Sequence, residues 1–196
     1  KIVEEQVEVT RIVEKEGETV VEEVVVTPTP EPTATPVSVG EPVYGGTLRF
    51  SSLSDIPGMA PAQLWNSASW AAEMMVFNGL LRYEAQGTSL VPDLAEEMPT
   101  VSDDGLTYTF KLREGVKFQN GRELTAEDVK YSLNRMLKPE TKSTGVANYF
   151  SIKGAKAVNE GTADEAEGIQ VLDGYTVQIV LDTPNSAFLD WMAMPF

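Results

Sequence analysis

The 196-residue chain contains neither cysteine nor histidine. Without thiols these residues hold no disulfide, no thiolate metal site and no cysteine nucleophile. Without imidazole they build no Ser–His–Asp triad. Absence of cysteine is compatible with an oxidising compartment. Cations are scarce as well, with 15 Lys and Arg against 30 Asp and Glu and a formal charge of -15 at pH 7. A surface of that sign repels phosphate backbones and anionic lipid, which argues against nucleic acid as a partner. No apolar run reaches the roughly 18 residues that a membrane-spanning helix needs. No basic segment followed by an apolar stretch marks a signal peptide. Phosphate-binding and nucleophile-elbow signatures (GxGxxG, the P-loop, GxSxG) are missing, and no segment offers calcium ligands at 1, 3, 5 spacing around a glycine.

What is present divides unevenly. Residues 1–26 carry eight Glu against Lys1, Arg11 and Lys15, and mix them with valine in two related pieces, "VEVTRIVEKE" and "VVEEVVVTP". Their β-branched content favours extended backbone. "TPTPEPTATPVSVGEP" follows with five of the twelve prolines, a composition that prefers polyproline II and acts as a semi-stiff spacer. Residues 1–44 therefore read as a low-complexity linker or stalk. A domain starts at Gly45–Gly46 and occupies residues 45–196.

Within that domain the patterning predicts mixed α/β structure. "GTLRFSS" (46–52) reads as a first strand and residues 54–67 as a loop rich in Pro, Gly and small residues. Trp70, Met74 and Phe77 recur at helical spacing, with Ser69 expected as N-cap and Gly79 just past the end. "LVPDLAEE" (90–97) reads as a short turn or helical piece. In "SDDGLTYTFKLREG" Leu106, Tyr108, Phe110 and Leu112 alternate with Thr107, Thr109, Lys111 and Arg113, the signature of a half-buried strand entered through a Ser102–Gly105 turn. "LTAEDVKYSLNRMLKP" (124–139) predicts a helix capped by Thr125 with Asp128 three residues on, burying Val129, Leu133, Met136 and Leu137 and ended by Pro139. A hairpin is expected over 168–173 and 176–182 around Gly174, and a last helix in "NSAFLDWMAM" after Pro184.

Few residues offer chemistry. The adjacent carboxylates Glu96–Glu97, Asp103–Asp104 and Glu127–Asp128 point apart on any regular element, so they read as turn and helix-end residues and not as acid–base pairs. Lys111 and Arg113 form a row too small for nucleic acid and read as a solvated strand face. Two segments are long, rich in small residues and attached to regular elements, as binding loops tend to be: 54–67 with Trp65, and "STGVANYF" (143–150) with Tyr149 and Phe150.

The ordered motifs "GGTLRF", "VFNGLLRYEAQG", "LVPDLAEE", "VSDDGLTYTFKLREGVKFQNGRELTAEDVKYSLNRML" and "DGYTVQIVLDTPNSAFL" closely resemble the amino-terminal part of the extracytoplasmic solute-binding proteins of family 5, the oligopeptide-, dipeptide- and nickel-binding components of bacterial ABC importers. The resemblance covers residues 45–196. It implies a periplasmic-binding-protein-like α/β fold (type II, the two-lobed Venus flytrap), of which this chain holds part of the first lobe. It implies capture of a peptide-like solute outside the cytoplasmic membrane and delivery to ABC transporter permease subunits, with no catalysis, cofactor or metal. It also implies a monomer, tethered to the membrane only through an inferred lipid anchor ahead of the linker.

Carried over by position, the resemblance places ligand contacts on Leu64, Trp65, Asn66 and Ser67, in the loop after the first strand. A second contact segment falls on Gly145–Phe150, with Tyr149 as its side chain. Where the family has Leu-Asp-Pro in the first loop, this chain has Met59-Ala60-Pro61. Rival readings are a stalked cell-surface adhesin without a transport role, and a hydrolase whose nucleophile lies downstream.

Overall fold

A computed structural model describes residues 7–15, 18–26, 45–47, 49, 51, 54–63 and 66–195. The chain divides into two units, Lys1–Arg49 and Phe50–Phe196. In the first, strands β1 (Val7–Lys15) and β2 (Glu18–Val26) form an antiparallel hairpin whose register sets Val9 opposite Val24, Arg11 opposite Glu22 and Val13 opposite Val20. Extended backbone is what valine-rich sequence favours. The proline-rich spacer expected after it lies outside the described residues. Of the first strand expected at 46–52, Leu48, Phe50 and Ser52 also lie outside them. Gly46, Thr47, Arg49 and Ser51 are exposed and in no ladder. A strand needs a neighbour to satisfy its backbone, and no strand pairs with these four among the described residues.

In the second unit, helix α1 spans Ser67–Glu73. It begins earlier than expected: Asn66, not Ser69, is the N-cap, and its Oδ1 accepts the Ser69 N–H at 2.9 Å. Strands β3 (Leu81–Tyr83) and β4 (Leu90–Pro92) form a small antiparallel pair, so the piece expected as a turn or helix is in part a strand. Strand β5 (Thr100–Val101) leads through the Ser102–Gly105 turn into β6 (Thr107–Lys111). Gly105 closes that turn with φ +69°, and Asp104 Oδ1 accepts the Leu106 N–H at 3.0 Å. That geometry is why Asp-Gly is found here.

Helix α2 (Ala126–Leu137) follows the predicted pattern, burying Val129, Leu133, Met136 and Leu137. Its start is tied down twice. Thr125 N–H donates to Asp128 Oδ2 at 2.9 Å, and Arg122 grips the same carboxylate through two bonds of 2.9 and 2.7 Å. Arg122 also lies over the Phe118 ring at 4.6 Å, a favourable cation–π placement. Two 3-10 turns, Pro139–Thr141 and Val146–Tyr149, lead to helix α3 (Ala155–Asn159). The hairpin of β7 (Ile169–Asp173) and β8 (Thr176–Val180) completes an antiparallel sheet in the order β5-β6-β8-β7.

Alternation along β6 and β8 puts Tyr108, Phe110, Val177 and Ile179 on one buried face, continued by Leu112 and packed with the apolar face of α2. Burying each such side chain is worth about 1.5–3 kcal/mol before entropy. The last helix, α4 (Phe188–Trp191), is shorter than expected, but Phe188 and Met192 are fully buried and Phe188 packs at 4.6 Å from Tyr108. After it the chain runs beside β3, where Leu81 N–H donates to Met192 O at 3.1 Å. Gly79 permits that approach, since a Cβ there would stand 2.9 Å from both Leu81 O and Met192 O.

Candidate functional site

The two loops singled out in the sequence meet. Thr144 N–H donates to Gln63 O at 3.1 Å and its hydroxyl approaches the same carbonyl at 3.3 Å, joining segments 81 residues apart. The first loop is braced from within by a turn in which Gln63 N–H donates to Ala60 O at 2.9 Å, and Ala62 sits in the core. Helix α1 holds the other side, with the buried Ser69 hydroxyl donating to Gly58 O at 2.8 Å. Ser69 is thus a tether for the loop in place of the cap its position suggested.

Of the expected contact residues, Leu64 and Trp65 lie outside the described residues. Asn66 is half-buried and engaged as the α1 cap, and Ser67 is exposed at the first position of that helix. Tyr149 differs from expectation. Its side chain is 0% exposed, in the core, and its hydroxyl donates to Trp191 O at 3.1 Å. Burial pushes its phenol well above the usual tyrosine range, which keeps it a neutral donor. Tyr149 anchors the second segment to α4, and the surface of that segment is carried by its neighbours: Ala147 is exposed, while Asn148 is half-buried with Nδ2 donating to Gly145 O at 3.0 Å.

One residue of this region had drawn no attention in the sequence. Glu73, on α1, is 0% exposed, and neither carboxylate oxygen has a hydrogen-bond partner among the described residues. Desolvation raises its pKa above the ordinary glutamate value. Ser69 and Glu73 are four apart and share one helix face, the buried one. The signal available in the sequence was that i, i+4 pair of polar residues, while the apolar positions Trp70, Met74 and Phe77 drew attention to the neighbouring face. In the structure Met74 and Phe77 are 48% and 40% exposed. Helix α1 ends at Glu73, so Met74 and Phe77 fall in the turn after it and only Trp70 of the three lies on the helix.

The charged residues noted in the sequence are engaged locally. Asp103 and Asp104 occupy the β5–β6 turn, Lys111 pairs with Glu96 at 2.8 Å, and Arg113 Nε donates to Asp93 O at 2.8 Å. Exposed pairs of this kind contribute little to stability.

A family model described as "Bacterial extracellular solute-binding proteins, family 5 Middle" matches residues 89–196. The Di/tripeptide-binding protein 1 of Pseudomonas aeruginosa is 36% identical over 160 residues, 78% of this chain and 29% of that protein. The Dipeptide-binding protein of Escherichia coli is 33% identical over 172 residues, 82% of this chain and 30% of its own length. Among solved structures, the substrate-binding domain of an oligopeptide ABC transporter from Bacillus anthracis superposes with a TM-score of 0.69 at 30% identity, covering 75% of this chain and 29% of that one. The chain thus spans less than a third of the length of the curated relatives it matches.

Proposed function

The chain belongs to the bacterial extracellular solute-binding proteins of family 5, and on that premise we propose that the full-length protein captures a peptide-like solute outside the cytoplasmic membrane and hands it to the permease of an ABC importer. Recognition is by binding alone, with no reaction, cofactor or metal. The carrying observation is the likeness to relatives named for di- and tripeptides. It is supported by the hydrogen bonds of Thr144 to Gln63 O, which join the two candidate loops across 81 residues of sequence.

On this reading the first loop contributes Leu64, Trp65, Asn66 and Ser67 to the ligand. Asn66 and Ser67 stand at the start of α1, and the second segment contributes the surface of Val146–Asn148, with Tyr149 behind it. Backbone groups and small side chains suit a ligand whose own side chains vary, because main-chain hydrogen bonds are indifferent to sequence. The relevant test is calorimetry on full-length protein, unfolded and refolded to remove retained solute, titrated with di- and tripeptides. Saturable binding is expected. No heat with any peptide, alongside retention of a non-peptide solute seen by native mass spectrometry, would overturn the peptide assignment.

A further inference from the structure

Strands β1 and β2 pair row by row along their whole length. Directly opposite residues of an antiparallel pair belong to one face of the ribbon, and successive rows alternate between its two faces. On one face the rows Val7/Val26, Val9/Val24 and Val13/Val20 are all valine, the central row is Arg11/Glu22 and the end row is Lys15/Glu18. Its charged positions therefore come in opposite-sign pairs that sum to zero. The other face holds the register positions of Glu8, Glu14 and Glu23 and no cation. Among the described residues no third strand pairs with either β1 or β2. A two-stranded ribbon is marginal in water by itself and needs a further layer on its apolar face.

We propose that the valine face of this hairpin is an interface between two copies of the chain, related by a twofold axis that runs along the strands. The chain carries a formal charge of -15, so two copies repel through most of their surface. The acidic face of the hairpin shares that sign, and the valine face does not. Its charges are also complementary to themselves. A twofold axis parallel to the strands lays each β1 position over the β2 position of the same row in the other copy. Valine rows then meet valine rows, the Arg11 position meets the partner's Glu22, and the Lys15 position meets the partner's Glu18. A twofold axis across the strands would reverse the row order, setting Arg11 against Arg11 and Lys15 against valine, and like charges across an interface reject that pairing. The central place of the Arg11/Glu22 row makes the choice, because that row meets itself in either arrangement. One patch used by both copies is what a twofold dimer requires. The monomer implied by the family resemblance concerns residues 45–196, and the family model matches residues 89–196; the hairpin lies ahead of both.

Analytical ultracentrifugation of the full-length protein over a concentration series tests this, and the wild type is expected to form a reversible dimer. Arg11→Glu and Glu22→Arg each give the central row a single sign, and each is expected to weaken the dimer by about tenfold or more. Both changes in one chain restore opposite signs and are expected to restore the dimer. The deciding measurement mixes the two single variants in equal amounts. An acidic row then meets a basic one, and a heterodimer within about threefold of the wild-type affinity is expected. A role of Arg11 and Glu22 confined to one hairpin predicts no such rescue by mixing. A wild type that stays monomeric up to about 100 μM, a dimer indifferent to both single substitutions, or a mixture no more dimeric than its components would each overturn the proposal. None of these outcomes depends on which solute the protein binds.

Discussion

Glu73 sits where a charge is costly. Its carboxylate is enclosed without a hydrogen-bond partner among the described residues, and desolvation raises its pKa above 4.5. The folded state therefore binds this proton more tightly than the unfolded state does. Stability from this group is fully present below the unfolded pKa and is lost as pH rises through the folded pKa. Glu73→Gln, which keeps the shape and removes the charge, is expected to raise Tm at pH 7.5 in thermal melts of the full-length protein. That gain should shrink as pH falls toward 4.5. An unchanged Tm at pH 7.5 would mean that the carboxylate has found a donor in the complete protein. Trp65 makes the complementary case. On the ligand-contact reading, Trp65→Ala weakens peptide affinity in calorimetry by tenfold or more while shifting Tm by only a few degrees. Unchanged affinity with a large loss of stability would mark Trp65 as core.

Helix α2 is the element in which sequence and structure agree most closely, because everything that starts it is local. Thr125, Asp128 and Arg122 lie within seven residues of one another and meet in one cluster of hydrogen bonds. Arg122 beside it holds the Asp128 carboxyl below the ordinary aspartate value of 3.8. Stability from that shift is present above pH 3.8 and lost as pH falls through the folded pKa. Asp128→Ala should cost about 1–2 kcal/mol in urea unfolding at pH 7, and the difference from wild type should narrow at pH below 3.8; a constant difference down to acid would show that packing, not charge, carries it. Strand β6 was equally legible, since period-2 alternation has one reading once Tyr108, Phe110 and Leu112 share a face. Helix α1 was not. Its cap lay three residues earlier than expected, and its buried face was the polar one.

At the largest scale described, residues 50–196 hold a four-stranded antiparallel sheet with α2 packed on it and two loops joined by the bond of Thr144 to Gln63 O. On the proposed reading these loops carry the solute contacts, which calorimetry on the full-length protein tests.

The sequence by itself determined the class of fold, the stretches that form α2, β6 and the β7–β8 hairpin, and the family. These rest on caps, turns and periodicities that act over a few residues. Tertiary structure alone decided that Gln63 meets Thr144 across 81 positions, that Tyr149 points into the core at Trp191, and that Glu73 is enclosed while Phe77 is not. A local pattern records that a helix has two unlike faces. Which of them is buried depends on what the rest of the chain packs against it.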